Sequence, residues 1–163
     1  ENFELCRVCY RKLLFLIFQE GYKNSYFGYE DIVGRSRLNF DSIIKNYFMC
    51  LVRLCSVDEL FHEFLEYLKE KQDYYFDAVD NVIMEKLSDE HFERFKELLV
   101  ITAEGIGKDD YAMHDVLNLI LDIAKNREKD EQKFLRLVEK FAPILGYDDV
   151  NSFLQDYDKS LKK

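Results

Sequence analysis

From Val57 onward, apolar residues recur every three or four positions through nearly every segment of the chain. That spacing is the period of an amphipathic helix. The residues that normally interrupt helices are scarce. There is one proline, Pro143, and there are six glycines. Both types punctuate turns and strands. The pattern predicts an all-α chain of seven or eight helices, packed as a single compact bundle over residues 1–163, with a short helical-repeat solenoid as the alternative.

The first predicted helix runs from about Phe3 to Glu20. Leu5, Val8, Cys9, Leu13, Leu16 and Ile17 form one stripe, and Leu14, Phe15 and Phe18 widen it. A helix so apolar is expected to be largely buried, with Gly21 ending it in a left-handed cap. Asn39 caps a second helix over Phe40–Cys55. The third start is the clearest: Ser56, with Glu59 three residues on, is a capping box. Val57, Leu60, Phe61, Phe64, Leu65 and Leu68 then hold a one-sided stripe. A fourth helix spans about Asp73 to Lys86.

Ser88 caps the fifth helix, and Leu87 and Phe92 have the spacing of a hydrophobic staple. Leu98, Leu99, Val100 and Ile101 are apolar all round, which predicts a central helix closed by Gly105 and Gly107. The sixth, about Asp110 to Lys125, carries Val116, Leu117, Leu119, Ile120, Leu121 and Ile123. The seventh, about Lys129 to Leu145, contains Pro143 in its last turn and stops at Gly146. The last, about Asp149 to Leu161, has the narrow stripe Val150, Phe153, Leu154 and Tyr157, expected on the outside.

Asp58 through Leu68 and Asp89 through Leu99 share the pattern D-E-x-F-x-x-F-x-E-x-L. The spacing suits a helical-hairpin repeat. Acidic first turns before apolar stripes also arise from capping alone, and the match stops after Leu99.

Charge narrows the partners. The net charge is -9, from 23 basic and 32 acidic residues, and it is unevenly spread. Residues 1–55 hold 8 basic and 6 acidic side chains, whereas residues 56–163 hold 15 and 26. The acidic part repels a phosphate backbone, so general nucleic-acid binding is not expected. The longest apolar run near the start, Leu13–Phe18, is far below the roughly 20 residues of a membrane span. No cleavable signal peptide is readable, and the chain opens on Glu1 rather than Met, which leaves a preceding segment open. Four cysteines, Cys6, Cys9, Cys50 and Cys55, read as reduced, partly buried thiols of a cytoplasmic protein.

Candidate chemistry is thin. Cys6-x-x-Cys9 and Cys50-x4-Cys55 have zinc-like spacing, but both fall within apolar helical stripes, where packing explains them better. Glu59-x-x-His62-Glu63-x-x-Glu66 holds half of a di-iron carboxylate motif, and no second copy exists. That face lies opposite Leu60, Phe61 and Phe64, so it is expected to point to water. His91 and His114 read as surface or margin residues. Asp109, Asp110 and Asp115 do not match an EF-hand loop, and Gly105-Ile106-Gly107 lacks the strand and lysine of a phosphate cradle. Neither a cofactor nor a metal is expected.

The segment 21–38 breaks the helical pattern. Gly21, Gly28 and Gly34 fall among Tyr22, Tyr26, Tyr29, Arg35 and Arg37. Tyr and Arg dominate binding hot spots, so these five are the candidate partner-binding residues. The expected function is a non-enzymatic protein–protein interaction module, an adaptor, regulator or assembly subunit, acting through a helical groove or this loop. The alternative is an acidic inhibitor or immunity-type protein that blocks a basic partner or mimics nucleic acid. Self-association is left open.

Overall fold

A computed structural model describes residues 2–23, 38–71 and 78–160. Among them are eight α-helices and no strand: α1 (Phe3–Lys23), α2 (Phe40–Leu54), α3 (Val57–Lys71), α4 (Ala78–Lys86), α5 (Asp89–Ala103), α6 (His114–Asp122), α7 (Glu131–Phe141) and α8 (Val150–Ser160). The fold is all-α, as the periodicity predicts. The chain divides into two compact units, Glu1–Phe95 and Lys96–Lys163, and the division falls inside α5.

In the first unit, α2 packs against α1, α3 and α4, and α1 also meets α3. The starts of these helices follow the local chemistry. Asn39 Oδ1 accepts from the Ser42 N–H at 2.9 Å. The capping box forms: the Ser56 N–H donates to Glu59 Oε2 at 2.8 Å and the Glu59 N–H to Ser56 Oγ at 3.3 Å. The core holds two aromatic groups: Tyr67 meets Phe18 and Phe48 edge to face, and Phe95 meets Phe61 and Phe64 edge to face. The shared D-E-x-F pattern has a structural counterpart. Phe61, Phe64 and Leu68 on α3, and Phe92, Phe95 and Leu99 on α5, are all buried. The Phe95 ring lies 5.1 Å from Phe61 and 5.5 Å from Phe64, so aromatics from both segments meet in one cluster.

In the second unit, α6 is buried on most of its surface through Val116, Leu117, Leu119, Ile120 and Leu121. The expected single helix to Lys125 is instead a 3-10 turn at Tyr111–Met113, then α6, then a π turn at Ile123–Arg127. The wider turn closes through Glu128 N–H to Ile123 C=O at 2.9 Å. Lys129, at φ 55°, then reverses the chain, and the Asp130 carboxylate caps α7 by accepting from the Lys133 N–H at 2.9 Å. The Glu128 carboxylate sits between Lys96 Nζ at 3.0 Å and Lys133 Nζ at 2.6 Å.

Four expectations are corrected. Helix α1 continues through Gly21 to Lys23 instead of ending there. Helix α7 stops at Phe141, before Pro143, whose missing N–H removes the next rung of the ladder. Gly146, at φ 89°, closes the turns that follow. Val100 and Ile101 are 48% and 62% exposed, so α5 is not apolar-contacted all round there. Its buried residues Phe92, Phe95, Leu99 and Ala103 keep an ordinary single stripe. Finally, α1 is not largely buried, as described below.

Truncating Phe95 to Ala removes a fully buried ring shared by two other aromatics, and should cost about 3–5 kcal/mol in urea unfolding. Ser56→Ala, which removes only the capping hydroxyl, should cost about 1 kcal/mol in the same measurement.

Candidate functional site: the outward face of the first helix

Helix α1 is apolar on more than one side, so its sequence alone does not say which side faces the core. The buried side is the narrow one, Leu14, Phe15 and Phe18. The longer stripe faces out. Leu5 and Leu16 are 59% and 58% exposed, Val8 and Leu13 are also exposed, and so is the free thiol of Cys9. At about 100° per residue these five side chains share an arc of roughly 140°. Lys12 lies within that arc, is exposed, and has no ionic partner among the described residues.

Polar groups on the flank of α1 determine this orientation. Arg11 Nε donates to Glu63 Oε2 at 2.9 Å, and its Nη2 donates to Glu66. The same Glu63 oxygen accepts the Tyr47 hydroxyl at 2.6 Å. Arg7 pairs with Glu4 at 2.8 Å and approaches Glu63 Oε1 at 3.8 Å. The Arg11 guanidinium also lies 4.3 Å over the Phe15 ring. At the two ends, Arg53 on α2 covers the Phe3 ring at 4.5 Å, and Gln19 donates to Glu70 at 3.1 Å. Together these contacts pin α1 to α2 and α3 with its long apolar stripe turned away.

Glu63 is the common acceptor, and its side chain is only 15% exposed. Burial alone would raise its pKa. The Tyr47 hydroxyl and the Arg11 and Arg7 guanidiniums outweigh burial and hold the carboxyl below its ordinary range. Burial and the Glu63 carboxylate together push the Tyr47 hydroxyl well above the usual phenol range, so it stays a proton donor. The expectation that Glu59, His62, Glu63 and Glu66 form a solvated face is therefore corrected. His62 is exposed, but Glu63 and Glu66 are the seat for α1. The sign that was readable is the Arg7–Arg11 spacing, one helical turn apart, against Glu63 and Glu66 at nearly the same spacing.

An open cavity of about 400 Å³ adjoins this cluster, lined by Arg7, Cys55, Asp58, Glu59, His62 and Glu63. Its carboxylates are engaged: Asp58 with Arg94 at 2.7 Å, Glu59 with Ser56, and Glu63 with Tyr47 and Arg11. Burial raises the Cys55 thiol above its ordinary range despite the nearby Arg7. A thiol shifted upward is a poorer nucleophile at neutral pH. Of the other cysteines, Cys50 is buried and Cys6 half-buried, in line with partly buried thiols, whereas Cys9 is exposed and departs from that expectation. No group of three His, Cys, Asp or Glu side chains that could hold a metal occurs among the described residues. His114 is half-buried, with Nε2 3.3 Å from the Gly107 carbonyl. Asp110 accepts from the Gly107 N–H at 2.8 Å in a local turn.

Of the five candidate residues in the 21–38 segment, Tyr22 falls in the last turn of α1. Tyr26, Tyr29, Arg35 and Arg37 lie outside the described residues. No described helix is long and apolar enough to cross a membrane.

Because the folded pKa of Glu63 is depressed, its contribution is present above the ordinary glutamate pKa of about 4.3. It is lost as pH falls through the folded value. Glu63→Gln should therefore cost about 1–3 kcal/mol near pH 7. The gap between the variant and wild type should narrow below about pH 4, as read by urea melts across pH. An unchanged gap would show that the charge of Glu63 is not what holds α1.

Comparison with protein-family models, curated proteins and solved structures finds no match for this chain.

Proposed function

We propose that this protein is a non-enzymatic protein–protein interaction module. In this reading the outward face of α1 receives an amphipathic helical segment of a protein partner. The observation that carries it is the exposure of Leu5, Val8, Cys9, Leu13 and Leu16 at helical spacing on a helix whose opposite side is clamped in place. Contiguous exposed apolar surface marks interaction sites in soluble proteins. A helix laid against a helix reads such anchors at i, i+3, i+4 and i+7.

The clamp supports the same reading. A docking face already held at Arg11, Tyr47 and Gln19 pays little ordering entropy when it binds. The apolar anchors would supply the affinity. Tyr26, Tyr29, Arg35 and Arg37 follow α1 in sequence and are of the residue types that dominate binding hot spots. Localisation in the cytoplasm fits the four free cysteines and remains part of this proposal.

The test is affinity capture from the native source with three baits. They are wild type, Leu5→Glu/Leu16→Glu, and Tyr26→Ala/Arg35→Ala/Arg37→Ala. The first variant should lose the partners that wild type retains, and wild-type capture should survive a rise to about 1 M salt, where exposed charges are screened. Capture that is indifferent to Leu5→Glu/Leu16→Glu but collapses with salt would overturn the α1 reading in favour of an acidic blocker of a basic partner.

A further inference from the structure

The geometry points to a two-thiolate site for a soft monovalent metal ion, Cu(I), formed by Cys6 and Cys9 on α1. The inference does not rest on the docking reading. Free cysteine is among the most buried residue types, and its reactivity more than its packing decides where it is kept. Cys9 is exposed and Cys6 is half-buried. Core packing therefore does not account for this pair as it does for Cys50, which is buried on α2. The second pair is also split by the fold. Cys55 lies past the end of α2 in extended backbone, at φ -106° and ψ 152°.

Spacing favours an ion over a direct sulfur–sulfur bond. Cys6 and Cys9 stand three residues apart within α1, well inside its first half. The helix sets their Cα atoms about 5 Å apart and about 60° apart around the axis. Their Cβ atoms are then about 5–6 Å apart. A disulfide needs Cβ atoms about 3.5–4.5 Å apart, so forming one would distort the helix. An ion held between the two sulfurs removes that conflict. With metal–sulfur bonds of about 2.3 Å, the bridged sulfurs stand as much as about 4.6 Å apart.

The donor set selects the ion. Thiolates favour soft ions, Cu(I) among them. A structural zinc site takes four ligands, and no group of three His, Cys, Asp or Glu side chains suited to a metal occurs among the described residues. Cu(I), a closed-shell ion, is satisfied by two ligands in a line. Glu4, two residues before Cys6, is held by Arg7 at 2.8 Å, which leaves the two sulfurs as the donors. On binding, each thiol gives its proton to solvent and two copper–sulfur bonds form, with copper unchanged in oxidation state. The bridged site carries one negative charge. Lys12, exposed one turn beyond Cys9, lies on the side of the helix where it offsets that charge.

The test is anaerobic titration of the reduced full chain with Cu(I), in competition with a chromophoric bicinchoninate chelator. Wild type should withhold one Cu(I) per chain and show a thiolate-to-copper charge-transfer band in the ultraviolet. X-ray absorption at the copper edge should find two sulfur neighbours. Cys6→Ser and Cys9→Ser should each weaken binding by more than about 100-fold, because a lost ligand costs more than a lost outer-shell partner. Their far-UV circular dichroism should match wild type, which separates ligand loss from unfolding. Cys55→Ser should bind as wild type does. Copper stripped from wild type as readily as from Cys6→Ser/Cys9→Ser overturns the inference. So does binding that is lost in Cys55→Ser, or Zn(II) that displaces Cu(I) at equal concentration.

Discussion

The Glu63 carboxylate is the contact on which the first unit turns. One of its oxygens accepts from both the Tyr47 hydroxyl and the Arg11 guanidinium, so a single buried acceptor ties together α1, α2 and α3. Burying a carboxylate is costly unless charge and hydrogen bonds compensate it. Here two guanidiniums and a phenol do so. In return, the rotation of α1 about its own axis is restricted. With Leu14, Phe15 and Phe18 as its buried anchors, α1 would otherwise have an alternative, because its other apolar stripe is longer.

That restriction decides which side of α1 is left exposed. An apolar stripe on a loosely held helix would collapse onto the nearest hydrophobic surface. Held by Arg11 on one flank and by Phe3 and Gln19 towards its ends, α1 keeps Leu5, Val8, Leu13 and Leu16 in water. Exposed apolar area is unfavourable at about 25 cal/mol per Å². Its retention on an anchored helix is the physical reason for reading it as a docking face. The second unit uses a related device for a different end. Glu128, between Lys96 and Lys133, stabilises the chain reversal after the π turn and so positions α7.

Much of the fold was legible because it rests on local rules. The Ser56–Glu59 box, the Asn39 cap and the stripes of α2, α3 and α6 depend on side chains within a turn or two of one another. The misreadings share a cause. Leu98–Ile101 and the first helix are apolar around most of their circumference, and periodicity cannot rank faces that are all apolar. Glu63 looked like one more solvated acid on a polar face. What distinguishes it is Arg11, 52 positions earlier, a relationship that no local pattern contains.

The sequence by itself determined that this protein is helical, where most of its helices begin, and that its acidic charge lies outside the first third. These follow from backbone propensity, capping and composition, which act over a few residues. Only the tertiary structure decided which side of α1 is buried, because that choice compares two apolar faces through their long-range partners. The arginines of α1 reach the carboxylates of α3 in one rotation of the helix. That rotation leaves Leu5 and Leu16 facing outward.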